Sequence, residues 1–321
     1  MLKLKSALIT GLVAFAAVAQ EAAVTTPAPS SLTPPLKNFC DSMKKKFDEY
    51  KWGDPACEDY NWNHVRNSDI GTPLIWTVFG EEKSEAAANT TIILCGVHGD
   101  EITPVKFCWD LLKELKNNHT FKDKVVVVAP LVAPDSFLKA RPSRTNGRGV
   151  DVNRNFPTGD WLKEAHRKWK QAYRSDKRKF PGNKAASEQE TVFQMNLVLR
   201  YKPNKIVSVH APLTLLDYDG PSLTTENGKP AKALLDGMSE KSANYKVFDY
   251  PVFPGSLGNW AGKEKGIPTY TLELPNINPA ETDKFWGMFK DAVFMAIDHT
   301  MKNVSEPIIP ETAEATEKKP K

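Results

Sequence analysis

Four cysteines and six histidines in 321 residues are sparse material for metal or redox chemistry. No Cys-x-x-Cys is present, which excludes the usual thiolate zinc site and the dithiol redox motif. An excess of one charge is also missing. The 43 basic residues face 39 acidic ones, a net +4 that drops to +2 once Lys3 and Lys5 are set aside. That balance argues against a nucleic-acid partner, and no nucleic-acid-binding motif accompanies it. Beyond Gln20 no run is long and apolar enough to cross a bilayer, and no internal repeat is visible. What is there, 40% hydrophobic residues over this length, suffices to bury a large core in one domain.

The ends read differently from the middle. Lys3 and Lys5, an apolar run from Ala7 to Val18, and small Ala17 and Ala19 before Gln20 have the form of a signal peptide over 1–19. No cysteine follows the cleavage position, so no lipid or membrane anchor is expected, and the mature chain is expected to be exported, periplasmic or secreted. Residues 20–36, with Pro27, Pro29, Pro34 and Pro35, read as an extended linker. Residues 306–321, charged and nearly free of large apolar side chains, read as a disordered tail. One folded domain is expected over 37–305. In an exported protein Cys40 and Cys57, flanking a short charged segment, are the preferred disulfide pair. Cys95 and Cys108, in a buried strand and the following helix, fit at least as well as packed free thiols.

Between the ends, β-type runs alternate with amphipathic helices. Strands are expected at 74–79, 91–97, 125–129, 206–209 and 269–274, and an unbroken run such as Val125–Val128 implies burial on both faces. Thr103-Pro104 opens a helix carrying Val105, Trp109, Leu112 and Leu115. Ser187 with Glu190 has the form of a capping box before Val192, Met195 and Leu199. Asn278, Pro279 and Glu281 precede a last helix whose Phe285, Phe289, Ala292, Val293 and Ala296 share one face. This alternation predicts an α/β fold, a mixed and largely parallel sheet with helices on both faces, with ligands at the carboxyl ends of its strands.

Polar residues at those ends carry the chemistry. His98 and Glu101, three apart across a Gly-containing turn after one strand, can converge on one metal, and His210 at the end of another strand supplies a third ligand. Two imidazoles and a carboxylate leave a position for water, the pattern of a catalytic zinc. Gly147 and Gly149 let the stretch from Arg141 to Phe156 double back. Such a loop can aim Arg144 at a carbonyl oxygen and Asn153 with Arg154 at a carboxylate, which a guanidinium grips in two places. Glu273, inside the apolar run Thr269–Leu274, is costly to bury unless paired or functional, and it suits a general base. The basic run from Lys163 to Lys184 reads as a solvated helix and loop, or as a rim attracting acidic substrates.

Taken together these residues resemble the zinc carboxypeptidases of the funnelin type, over roughly residues 70–300. The resemblance implies Zn2+ held by His98, Glu101 and His210. It implies Glu273 as the base, Arg144 polarising the carbonyl, and Asn153 and Arg154 holding a terminal carboxylate. It adds Asp151 as the acid that orients a zinc-bound histidine, the pocket-lining segment Gly255–Trp260, and Tyr250 as the nearest match to a pocket-closing tyrosine. Within the family, His98-Gly-Asp-Glu101 and His210-Ala-Pro-Leu are similar to bacterial murein peptide amidases, a branch that cleaves between γ-D-glutamate and diaminopimelate.

The function this implies is an exported zinc metallopeptidase, a hydrolase of amides beside a free carboxylate in peptidoglycan peptides. A zinc deacylase of the aspartoacylase or desuccinylase kind shares the metal and Asp-x-Asn-Arg features. The run Asn153–Phe156 and the segment Gly255–Trp260 favour the peptidase. A wall-peptide binding protein on an inactive scaffold is the third reading, and a retained base argues against it.

Overall fold

The computed structural model describes residues 32–80, 89–242, 244–248 and 250–301. The signal-peptide segment, most of the expected linker and the expected tail lie outside them. In chain order the elements are α1 (Pro34–Tyr50), β1 (Asn63–Asn67), β2 (Pro73–Phe79), β3 (Asn89–Leu94), α2 (Ile102–Asn118), β4 (Lys124–Ala129) and a single turn α3 (Pro134–Phe137). There follow α4 (Trp161–Gln171), α5 (Gln189–Tyr201), β5 (Lys205–His210), β6 (Leu215–Asp219), α6 (Lys229–Lys241), β7 (Val247–Phe248), β8 (Thr269–Glu273) and α7 (Thr282–Asp298).

Val125–Val128 show how the layers arise. Successive strand residues face opposite sides. Val126 and Val128 therefore join one apolar cluster, with residues of α1, α2, α6 and α7, while Val125 and Val127 join a second, with Phe193, Leu197 and Val198 of α5. Helices thus cover both faces of an eight-stranded sheet ordered β1-β2-β4-β3-β5-β8-β6-β7. The central strands β4, β3, β5 and β8 run parallel, β2 and β6 lie antiparallel on either side, and β7 pairs parallel with β6. This is the expected α/β class. Parallel central strands place the carboxyl ends of β3, β5 and β8 along one edge, which is where the candidate residues lie.

Several boundaries differ from expectation. The segment 34–36, expected as linker, is the first turn of α1, with proline at its start and Leu36 buried. Proline's fixed φ suits that position, and the lost N–H would have had no helical partner there. The third strand stops at Leu94 rather than residue 97. The helix after it begins at Ile102, with Glu101 at its cap, while the Thr103 hydroxyl donates to Asn276 O (2.7 Å). No capping box forms at α5. The helix starts at Gln189, the Ser187 hydroxyl donates to Glu188 (2.6 Å), and the Glu190 carboxylate accepts from Asn146 (2.9 Å) instead of reaching back. Its core face is Phe193, Leu197 and Val198, and Leu199 is exposed. The run 192–199 is apolar on two adjacent faces, so periodicity could not separate them. The last helix buries the expected Phe285, Phe289, Ala292, Val293 and Ala296. Cys40 is bonded to Cys57, and Cys95 to Cys108 as well, with Cα atoms 5.4 and 6.2 Å apart. The second bond replaces the expected free thiols: with the strand ended, Cys95 turns toward the second turn of α2.

Candidate active site

His98 and Glu101 leave β3 through a tight turn. Gly99 makes it possible, because a Cβ there would fall 2.4 Å from the backbone at Ser136 and Phe137. Strand β5 delivers His210, and the β5–β8 register sets Glu273 directly opposite it. The Leu274 N–H donates to His210 O (2.7 Å), locking the two strand ends together.

The imidazoles converge through one nitrogen each. His98 Nδ1 lies 2.8 Å from Glu101 Oε1, and His210 Nδ1 lies 2.9 Å from Glu101 Oε2. The other nitrogens are engaged from behind, His98 Nε2 by Asp151 Oδ1 at 3.0 Å and His210 Nε2 by Ser208 Oγ at 2.9 Å. One ligand atom from each of His98, Glu101 and His210 lies within 4.8 Å of the others, and all three residues are buried. Two nitrogens and an oxygen so gathered, each histidine held by its far nitrogen, make a donor set that fits zinc.

Asp151 does more than orient one histidine. Its Oδ1 also accepts from the Asn153 N–H (3.0 Å), and its Oδ2 accepts from Arg144 Nε (2.9 Å). The Arg144 NH1 group continues to Glu101 Oε1 (3.0 Å). One fully buried carboxylate therefore aligns His98, the Arg144 guanidinium and the start of the Asn153–Arg154 turn. Burial alone raises Asp151, but Arg144 and His98 outweigh it and hold the carboxyl well below the usual range. Glu101 behaves alike: burial raises it, and His98 and His210 bring it well below. Burial pushes Glu273 up; His210 opposes this and Glu101 adds to it, so the net direction is up. The Leu213 N–H donates to Glu273 Oε2 (3.3 Å).

These groups line one cavity of about 510 Å³. Asn153 Oδ1 accepts from the Leu257 N–H (2.8 Å), which turns the amide NH2 end away from that anchor. The Arg154 guanidinium lies 4.3 Å over the Phe253 ring, its NH1 bonded to Asn153 O (2.7 Å). Gly255, at φ +76°, passes so close to Arg154 O that a Cβ would sit at 2.1 Å, so this segment can press on Arg154 only with glycine. Tyr250 reaches the cavity from the segment before it and is partly exposed. His98, Glu101, Arg144, Asn153, Arg154, His210, Tyr250 and Glu273 line this space, with Ser256, Leu257 and Gly258 of the expected pocket segment; Asp151 lies directly behind it, and Trp260 packs in the core instead.

Arg178 and Lys179, from the basic run, reach the rim, one of the two readings given to that run, with Arg178 paired to Asp100 (2.6 Å). Sequence reasoning missed the floor. Asp217 and Asp219 of β6 line the floor. Their signal was present as carboxylates two apart around Tyr218, but nothing in so short a run marked it as a strand beside β8.

Two imidazoles and a carboxylate at the carboxyl ends of parallel strands, with a second carboxylate and a guanidinium beside them, define the site of a metal-dependent hydrolase. The chain belongs to the family described as zinc carboxypeptidase, which matches residues 65–290. It is a hydrolase of that class. It is 30% identical over 223 residues to murein peptide amidase A of Escherichia coli K12, covering 69% of this chain and 84% of that one. It is 27% identical over 215 residues to murein peptide amidase A of Vibrio campbellii, covering 66% and 78%. Among solved structures it is similar to murein-tripeptide amidase from Escherichia coli O157, with a TM-score of 0.52, 27% identity, and 73% and 91% of the two chains covered. Bovine thrombin-activatable fibrinolysis inhibitor shares the fold at a TM-score of 0.62, with 17% identity and 82% and 96% covered.

Proposed function

We propose that this protein is an exported zinc peptidase that hydrolyses an amide next to a free carboxylate in peptidoglycan peptides, the γ-D-glutamyl–diaminopimelate bond in particular. The observation that carries the reading is the convergence of His98, Glu101 and His210 with Glu273 set opposite His210. The similarity to murein peptide amidases over most of their length supports the substrate class. Export is supported by the form of residues 1–19 and by two disulfides, which persist in oxidising compartments. Among the described residues no helix is long and apolar enough to cross a membrane.

His98 Nδ1, His210 Nδ1 and Glu101 would hold zinc, which would supply Lewis-acid chemistry at the scissile carbonyl and the water. Glu273 takes the proton of the attacking water and returns one to the departing amine. Its buried position raises its proton affinity toward that of a working base. Arg144, fixed by Asp151, donates to the carbonyl oxygen as it gains charge. Asn153, through its NH2 end, and Arg154 hold the substrate carboxylate, while the Phe253 ring under Arg154 limits its movement. The wall that Asn153 and Arg154 form with Ser256, Leu257 and Gly258 favours a peptidase over the deacylase alternative, and a pure binding protein has no use for a buried base.

The test uses wall tripeptides carrying either a free or an amidated carboxylate beside the scissile bond. The free form is expected to be cut and the amidated form to be a poor substrate, with Arg154→Ala raising KM and narrowing that difference. Equal rates on both forms refute the clamp. Rapid removal of ordinary C-terminal L-residues with γ-D-glutamyl–diaminopimelate peptides left intact refutes the wall-peptide reading.

A further inference from the structure

A second group of carboxylates gathers outside the cavity. Asp69, from the turn between β1 and β2, and Glu188 and Glu190, at the start of α5, each offer one oxygen within 4.8 Å of the others. None of the three lines the active-site space. Asp135 of α3 adds a fourth negative charge that acts on Glu190.

These groups meet little positive charge. Arg148 stands 3.7 Å from Asp69 Oδ1 and 3.8 Å from Glu188 Oε2, beyond hydrogen-bond reach, and its side chain is 53% exposed. The neutral Asn146 amide donates to Glu188 (2.8 Å) and Glu190 (2.9 Å), and the Ser68 hydroxyl donates to Asp135 Oδ1 (2.7 Å). Glu190 Oε1 and Asp135 Oδ2 are left without a hydrogen-bond partner among the described residues, although Glu190 is fully buried and Asp135 nearly so. A buried carboxylate oxygen that no donor meets is costly until a proton or a cation reaches it. The cluster already draws protons: burial, with Asp135 and Asp69 adding to it against the Asn146 bond, pushes Glu190 up to about 7.

We infer that Asp69, Glu188 and Glu190 form a calcium site, separate from the zinc triad, with the unmet oxygens of Glu190 and Asp135 as its driving charge. The donors are all carboxylate oxygens, with no imidazole or thiolate among them, which selects a hard cation over zinc. Calcium–oxygen distances of about 2.3–2.6 Å put ligands on opposite sides of the ion about 5 Å apart, and the three oxygens fall within that span. Calcium also accepts an irregular ligand set, whereas magnesium demands a near-octahedral one and gives up its water reluctantly. Asp69 is exposed and leaves a way in. Both glutamates hold Asn146, whose side chain caps the loop between Arg144 and Asp151. An ion here would brace that loop from the side away from the substrate, whatever bond the active site cuts.

The test titrates calcium chloride calorimetrically into the calcium-free, zinc-loaded protein. One calcium ion per chain is expected, with a Kd of about 0.1–1 mM, the range of extracellular calcium modules. Calcium at about 10 mM should raise the thermal unfolding midpoint by about 5 °C, and magnesium should raise it less. Asp69→Asn removes an exposed ligand without disturbing the core, and Glu190→Gln keeps an oxygen for Asn146. Each should weaken calcium binding at least tenfold. Absence of calcium binding overturns the inference, as does binding that both variants leave intact. A magnesium shift equal to that of calcium overturns the choice of ion. Variants that change stability equally with and without calcium reduce the cluster to a hydrogen-bonded, proton-sharing group. Hydrolysis is not read in any arm, so failure of the peptidase reading leaves this outcome untouched.

Discussion

Replacing Glu190 by glutamine tests how the loop that carries Arg144, Asp151 and Asn153 is held. Glu190 is fully buried, and its Oε2 shares the Asn146 amide (2.9 Å) with Glu188 Oε2 (2.8 Å). Asn146 in turn caps its own loop by accepting from the N–H groups of Arg148 (3.1 Å) and Val150 (3.0 Å). The other Glu190 oxygen has no hydrogen-bond partner among the described residues. Burial pushes the carboxyl up; the Asn146 bond opposes this, and Asp135 and Asp69 add to it, leaving it at about 7. A carboxyl raised in the folded state binds more protons there than in the unfolded chain. Stability is therefore greatest below the ordinary value and falls as pH rises through the window up to the folded one. The gap between 4.5 and about 7, at about 1.4 kcal/mol per unit, amounts to about 3 kcal/mol. Glu190→Gln removes the titration and leaves an oxygen to accept from Asn146. Urea unfolding of both proteins at pH 4.5, 5.5, 6.5 and 7.5, with metal chelated throughout, isolates the term, because other titrating groups cancel in the difference. The variant should gain on the wild type by about 1.4 kcal/mol per pH unit across that range and level off above it. A difference that does not change with pH refutes the reasoning.

Zinc should bind with one ion per chain, and chelation or His210→Ala should abolish hydrolysis; undiminished turnover in either case removes the triad from its role. Glu273→Gln should keep fold and metal while slowing turnover by about a hundred- to ten-thousand-fold, and near-normal rates would place the base elsewhere. Asp151→Asn should lower zinc affinity by about ten- to a hundred-fold, and activity should stay depressed at saturating zinc because Arg144 also loses its Nε partner. Full rescue by zinc would confine Asp151 to the histidine.

The reactive groups were legible because of where they are tethered. His98 follows, and His210 ends, a run that is buried on both faces, and Glu273 ends an apolar strand beside them. A hydrophobic run strong enough to announce a central parallel strand also fixes which residue emerges at its carboxyl end. Arg144, Asn153 and Arg154 were legible for another reason, a glycine-containing loop set in sequence between the strand that leads to His98 and the strand that ends at His210. The role of Asp151 as the common partner of His98, Arg144 and the Asn153 amide was not, since those three contacts arise only when the loop has folded back. The Cys95–Cys108 bond was hidden similarly, because a strand ending at Leu94 rather than at residue 97 changes which way Cys95 turns.

The candidate reactive groups and the floor of the cavity come from different parts of the chain. Strand β6 is five residues long, carries two carboxylates and pairs antiparallel with β8, more than fifty positions away in sequence. Its strand character comes from that partner rather than from its own composition, as is usual where tertiary packing decides a short β segment. Alternation of side chains across β6 is what turns Asp217 and Asp219 toward the cavity and Leu216 and Tyr218 toward the core. A shift of one residue in the β6–β8 register would exchange those sets and leave the metal triad and Glu273 where they are. The groups at the ends of β3, β5 and β8 therefore stand whatever β6 carries, and which β6 side chains line the cavity is set by a strand register that only the folded sheet reveals.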